Sequence, residues 1–208
     1  MKTTLELYGA QSGNSIRAAI ALEEAGLAYT PKFVDLSSGE QRGADHLARN
    51  PAGKVPVLVE VEEGRETFIL TQSNAIILYA AGKAPGRLLP ENERERAIVL
   101  ERFFFFVTDV IAVSHAAFSL RTLPAAKEGQ TTLMDRALVT LETAETYVGH
   151  NEFIAGNTFS AADIVAFTIT QSAKSDLPWS KLPNLRKWLE RIEDRPAVKR
   201  GLQAFNPT

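Results

Sequence analysis

The sequence predicts an α/β domain built on a four-stranded mixed sheet with flanking helices, followed by an all-α helical bundle domain. Three observations predict it. Over the first eighty residues, short β-branched runs alternate with segments of helical period. A Gly- and Pro-bearing stretch, Gly82-Lys83-Ala84-Pro85-Gly86-Arg87, then interrupts every periodicity, as a linker does. After Pro90 the apolar residues recur only at helical spacing. The expected organisation is therefore a first domain over 1–82, a linker over 83–90 and a helical domain over 91–208.

In the first domain, Thr3 to Tyr8 reads as a strand. Ile16, Ala19, Ile20 and the run from Glu23 to Gly26 read as a helix closing on a C-terminal glycine. A second strand is expected near Tyr29 to Asp35, with Pro31 at its start, where a missing N–H is best tolerated. A short polar helix near Gly43 to Asn50 stops at Asn50-Pro51. Val57 to Val61 and Glu66 to Leu70 flank the turn Glu62-Glu63-Gly64-Arg65 and form a hairpin, and a helix runs from Ser73 to about Ala81. A hairpin must be antiparallel and a β-α-β crossover parallel, so this sheet is mixed. The order β-α-β-α-β-β-α is the thioredoxin-like one.

In the second domain, helices are expected near 92–120, 128–148, 160–174, 183–193 and 196–205. Ser160-Ala161-Ala162-Asp163 has the pattern of a helix cap. Phe103-Phe104-Phe105-Phe106-Val107 covers the whole circumference of its helix, because consecutive residues sit about 100° apart. Such a helix is expected to have no wet side there, and to be covered by its bundle and by the first domain or a second subunit.

Composition narrows the functions available. The chain is 45% hydrophobic and 23% charged, which supplies a core and argues against disorder. Lys and Arg number 23 against 25 Asp and Glu, scattered without a basic face, so nucleic acid is not an expected partner. There is no cysteine, which excludes disulfides, thiolate-ligated zinc and a protein thiol nucleophile. His46, His115 and His150 lack metal-ligand spacing, and no metal is expected. The longest apolar stretch, Ala97 to Leu120, carries Glu101, Arg102, Asp109 and His115, so no membrane span is expected. With no signal segment at the start, a cytoplasmic location is the expectation.

Three motifs carry more specific information. They are Tyr8-Gly9-Ala10-Gln11-Ser12-Gly13-Asn14-Ser15 after the first strand, Gly53-Lys54-Val55-Pro56-Val57-Leu58, and Thr71-Gln72-Ser73-Asn74-Ala75-Ile76. In this order, ahead of a helical second half with the Phe159-Ser160-Ala161-Ala162-Asp163 cap, the chain resembles the cytosolic glutathione transferase superfamily, in its serine-type branch. The resemblance covers nearly the whole chain. It implies a detoxification enzyme that takes glutathione as co-substrate, attacks a hydrophobic small-molecule electrophile and forms a homodimer.

The chemistry such a site needs can be stated from the thiol. A thiol of pKa ~8.5 is about 3% thiolate at pH 7, and lowering it to ~6.5 makes it roughly three-quarters thiolate. The shift corresponds to about 2.7 kcal/mol, which one or two hydrogen bonds to the sulfur can supply. The resemblance places Ser12 as the hydroxyl that makes such a bond, with Asn14 as a second donor. Tyr8 is the rival, since other branches use a tyrosine at the end of the first strand, and Ser15 is a third candidate. The resemblance further implies that Val55, before a cis proline, presents its backbone to the cysteinyl part of glutathione, and that Lys54 pairs with the glycyl carboxylate. Gln72 would hold the γ-glutamyl amino group, and Ser73 would cap the third helix and bind the γ-glutamyl carboxylate. Gln11, Phe103, Phe106 and Val110 are the expected lining of the electrophile pocket. The alternatives are disulfide reduction, peroxide reduction or isomerisation on the same site, for which Ser12-x-Asn14 resembles the Thr-x-Asn of reductase branches, and a non-catalytic ligand-binding protein.

Overall fold

A computed structural model describes residues 3–206. Two compact units divide the chain, one formed by the residues up to Leu88 together with those from Asp194 onward, the other by Leu89–Glu193.

The first unit follows the expected element order. Strand β1 (Thr3–Gly9) leads into α1 (Gly13–Ala25), β2 (Thr30–Phe33), α2 (Ala44–Arg49), the hairpin β3 (Val57–Glu62) and β4 (Phe68–Thr71), and α3 (Ser73–Lys83). The sheet order is β2-β1-β3-β4, with β1 and β2 parallel and the other two pairings antiparallel. Strand alternation buries Leu5 and Leu7 on one face and leaves Glu6 and Tyr8 half-buried on the other. Helix α1 ends at Gly26, whose φ of 71° suits a residue without Cβ and lets the chain turn back into β2.

The last helix, α10 (Pro196–Gln203), packs on α1 in this unit, whereas the sequence reading placed it in the helical domain. Helical period shows that a helix exists and carries no information about which neighbour receives its apolar stripe. The docking is close. A Cβ on Gly201 would lie 2.6 Å from Ile20 Cγ1 and 2.9 Å from Ile20 Cα, and a Cβ on Gly9 would lie 2.7 Å from Cε1 of the buried Phe205 ring. Two ion pairs reinforce it, Arg195 to Glu24 through two 2.7 Å bonds and Arg200 to Glu23 at 2.6 Å.

The second unit contains α4 (Glu93–Phe104), α5 (Ala112–Leu120), α6 (Lys127–Glu142), α7 (Ala144–Gly149), α8 (Ala161–Ser172) and α9 (Pro183–Glu193). The stretch expected as one helix over 92–120 contains a π-helical segment, Phe105–Ile111, between α4 and α5. There Thr108 Oγ1 donates back to the Phe104 carbonyl at 2.9 Å, a local bond that competes with the regular helix ladder. The phenylalanine run also has a wet side. Phe103 and Phe106 are fully buried and Phe105 packs edge-on against Tyr147, but Phe104 is 50% exposed.

Helix α8 is buried from Ala161 through Thr170 and forms the centre of this unit. Its first turn holds the fully buried Asp163, which accepts bonds from Ile154 N and Trp188 Nε1 through Oδ1, and from Ser160 N and Oγ through Oδ2. Burial pushes its pKa up, and these four donors hold against that push. The carboxylate thus joins a loop, a helix start and α9.

Two stability predictions follow from this packing. Asp163→Asn turns one acceptor into a donor facing Ser160, so it should cost about 2–5 kcal/mol in urea unfolding, close to the cost of Asp163→Ala. Gly201→Ala should cost about 1–3 kcal/mol, because Ile20 backbone atoms cannot withdraw as a flexible side chain could.

Candidate functional site

The strand register gathers the three motifs. Tyr8, at the end of β1, pairs with Val57, the first residue of β3, and Val57 pairs with Thr71, the last residue of β4. Neighbouring strands lie about 4.8 Å apart. The Gln11–Asn14 loop, the Val55-Pro56 turn and the Gln72-Ser73 step therefore leave the same end of the sheet side by side, spanning about 10 Å from first to last.

Ser12 is the N-cap of α1, with extended backbone at φ −135°. Its half-buried Oγ accepts from Ser15 N at 3.4 Å and lies 3.1 Å from the Oγ of the fully buried Ser15. Ser15 Oγ in turn accepts from Ala10 N at 3.2 Å. The two hydroxyls can share their bond in either direction. Asn14 is half-buried on the first turn of the helix. Gln11, expected in the pocket lining, is exposed and donates its amide to the Leu202 carbonyl at 2.9 Å, so it ties this loop to the C-terminal helix.

Tyr8 is differently occupied. Its hydroxyl donates to Glu6 Oε2 at 2.8 Å, and the Arg49 guanidinium sits 4.4 Å from its ring centroid. Burial and the bond to Glu6 raise the phenol's pKa. The same bond, together with Lys32, holds the Glu6 carboxyl below its ordinary range. A phenol so engaged is a poor donor to anything else.

The Val55–Pro56 peptide bond is cis. The turn before it is fixed by two buried side chains that sequence reasoning did not assign to the site. His46 Nε2 donates to the Lys54 carbonyl at 3.0 Å, and Asn50 Nδ2 donates to the same oxygen at 2.7 Å. A carbonyl only accepts, so Nε2 carries the imidazole proton. The Lys54 side chain is exposed. A histidine outside any ligand pattern offers no sequence signal for such a role; the nearest signal was the helix stop at Asn50-Pro51.

Gln72, rather than Ser73, caps α3, and Ser73 is the first helical residue. Gln72 has φ 71° and ψ 112°, a conformation that side-chain-bearing residues avoid. The first helical bond runs from Ile76 N to the Gln72 carbonyl at 3.0 Å, which leaves the N–H groups of Ser73, Asn74 and Ala75 outside the helix ladder. Strain at a residue that makes no cap bond marks a constraint other than folding. Gln72→Gly should therefore raise the unfolding free energy by about 1 kcal/mol, measured by urea titration.

The expected pocket residues of the second unit are placed otherwise. Phe103, Phe106 and Val110 are 0%, 0% and 1% exposed, so they are core and offer no surface to a ligand. Any one of them satisfied the helical pattern for either role, and the pattern could not separate lining from core. Two hollows of about 570 and 440 Å³ lie in the first unit, the one beside Tyr29 and Arg200, the other beside Tyr8 and Arg49. Neither is lined by Ser12, Val55 or Gln72. Among the described residues, no group of three or more His, Asp or Glu side chains is placed to hold a metal ion.

Comparison with known proteins identifies the family. Residues 3–82 match the model of the glutathione S-transferase N-terminal domain, and residues 90–196 match that of its C-terminal domain. The chain is 30% identical to the disulfide-bond oxidoreductase YfcG of Escherichia coli (strain K12), over 95% of this chain and 94% of that protein. It is 27% identical to glutathione S-transferase 1 of Zea mays, over 98% of each. Among solved structures, glutathione transferase YghU from Streptococcus pneumoniae, complexed with glutathione, superposes with a TM-score of 0.84 at 29% identity, covering 96% of this chain and 82% of that one. With both halves matched by the family's models, the chain belongs to the glutathione S-transferase family.

Proposed function

We propose that this chain binds glutathione across the strand ends and activates its thiol, through Ser12, for attack on a small hydrophobic electrophile. The observation that carries the reading is the register that brings the Ser12 loop, the Val55-Pro56 turn and the start of α3 together. A tripeptide of about 3.3 Å per residue spans the same ~10 Å.

The residues divide the work by chemistry. The free amides of Ser73, Asn74 and Ala75 at the positive end of α3 receive the γ-glutamyl carboxylate. The strained Gln72 turns its side-chain oxygen to the γ-glutamyl amino group. Val55 offers its backbone N–H and C=O to the cysteinyl residue, in a turn held in place by His46 and Asn50. Lys54, whose side chain is exposed, pairs with the glycyl carboxylate. Glutathione supplies the nucleophilic sulfur. Ser12 Oγ donates to that sulfur when Ser15 reverses the shared bond and becomes the donor to Ser12. The resulting chain, from Ala10 N–H through Ser15 and Ser12 to the sulfur, is one in which each bond polarises the next. Asn14 adds a second donor from the first turn of α1.

The electrophile's site is not formed by Phe103, Phe106 and Val110. Conjugation would act as a detoxification step, in the reducing cytoplasm where glutathione is available. A second copy of the chain is supported by exposed apolar side chains in each unit, Val61, Phe68 and Ile69 in the first and Ile98 and Phe104 in the second. Disulfide reduction on the same site is the second reading, supported by the Ser12-x-Asn14 spacing and the 30% identity to a disulfide-bond oxidoreductase.

The test is turnover of glutathione with an aryl halide and, separately, with a small disulfide. Ser12→Ala should lower the preferred activity roughly 10- to 100-fold, the value of one hydrogen bond to a charged sulfur. Tyr8→Phe should leave it within about threefold, because Tyr8 is committed to Glu6. The product identifies the reaction: a thioether for transfer, glutathione disulfide for reduction. Loss with Tyr8→Phe and none with Ser12→Ala would overturn the assignment of the hydroxyl.

A further inference from the structure

The peptide group between Lys54 and Val55 is bonded unevenly. Its oxygen receives two donors, His46 Nε2 at 3.0 Å and Asn50 Nδ2 at 2.7 Å. A carbonyl oxygen has two lone pairs, so this one is saturated. Its nitrogen belongs to the half-buried Val55, and among the described residues the Val55 N–H makes no hydrogen bond. Backbone groups withdrawn from water are normally paired, so an open N–H behind a doubly paired oxygen points to a partner from outside the chain.

Both donors are held by their own surroundings. His46 lies on α2 and is 4% exposed, and Asn50, which ends that helix, is 7% exposed. Asn50 N donates to the His46 carbonyl at 2.8 Å, which links the two residues through the backbone. Asn50 Oδ1 accepts from Ala52 N at 3.1 Å while Nδ2 reaches Lys54, so both ends of its amide are used within the turn. Gly53, at φ 58°, closes the turn against the Gln41 backbone, and a Cβ there would stand 3.1 Å from the Gln41 carbonyl oxygen.

Burial of a carbonyl requires one partner, and a second fixes the direction in which the oxygen points. The Lys54–Val55 peptide is planar and trans, so its N–H points opposite to its C=O. Fixing the oxygen therefore fixes the Val55 N–H. Two donors on the oxygen also polarise the amide, which strengthens the bond its nitrogen can make.

We propose that His46, with Asn50, presets the Val55 amide as the contact by which the site recognises the peptide backbone of its thiol substrate. Neither side chain touches the substrate, and both are positioning residues that act through the Lys54–Val55 peptide. The work is thereby divided: affinity for the peptide is set here, and ionisation of the sulfur is set at Ser12. The inference rests on the glutathione reading above, and it deepens it by naming what determines affinity apart from the chemistry of the thiol.

The experiment uses the full chain as wild type, His46→Gln, His46→Phe and His46→Leu. Calorimetry measures binding of S-methylglutathione, amide NMR follows the Val55 proton, and turnover of glutathione in the preferred reaction gives KM and kcat. His46→Phe, bulky and without a donor, should weaken S-methylglutathione binding roughly 5- to 20-fold and raise KM alike, with kcat within about twofold of wild type. His46→Gln, which keeps an N–H donor, should bind within about threefold of wild type. His46→Leu makes the same comparison as His46→Phe if that variant does not fold. The Val55 amide proton should move downfield on binding in wild type, and much less in the donor-free variants. Unchanged affinity in those variants overturns the proposal, as does a loss in His46→Gln equal to that in His46→Phe. A fall in kcat as large as the rise in KM, or a Val55 proton that stays in place in the wild-type complex, overturns it too. Failure of the wild type to bind S-methylglutathione would remove the glutathione reading itself, a result distinct from these.

Discussion

The arrangement depends first on the pairing of Tyr8 with Val57 and of Val57 with Thr71. A slip of one residue would turn every side chain of a strand to the opposite face, and it would move the Val55-Pro56 turn away from the Ser12 loop. Alternation guards against that slip: Leu5 and Leu7 are buried together on one face, while Glu6 and Tyr8 lie on the other, with Arg49 over the Tyr8 ring. Everything at the site is a loop or a helix start hung from this row of three residues.

Several buried polar groups stabilise one unit or the other instead of acting directly at the site. His46 and Asn50 converge on one carbonyl, Glu60 draws in Tyr79 and Lys83, and Asp163 holds the helical unit together by four donors. Each is engaged by partners within its own unit. Gln72 and Arg17 differ from them, because one is strained without a cap bond and the other keeps an unpartnered nitrogen.

Much of the first unit was legible in the sequence because period, turn residues and motif spacing all describe local structure. The element order, the hairpin, the glycine ending α1 and the position of Ser12 at a helix start follow from neighbours within a few residues. What was not legible depends on partners far along the chain. The place of α10 against α1 requires Gly201 to meet Ile20, and the core position of Phe103 and Phe106 requires knowing which helix covers them. The exposed Phe104 shows the same limit, since a run of aromatics predicts burial and does not say where cover ends. His46 and Arg17 were invisible for a simpler reason: a single polar residue becomes informative only when its partner, or its lack of one, can be seen.

The most direct test of the central claim is a crystal structure of the chain with glutathione. The sulfur should lie within hydrogen-bond distance of Ser12 Oγ, with the cysteinyl backbone paired with Val55 and the γ-glutamyl carboxylate on the amides of Ser73 to Ala75. Glutathione bound elsewhere, for example in the hollow beside Tyr8 and Arg49, or held with its sulfur turned away from Ser12, would contradict it.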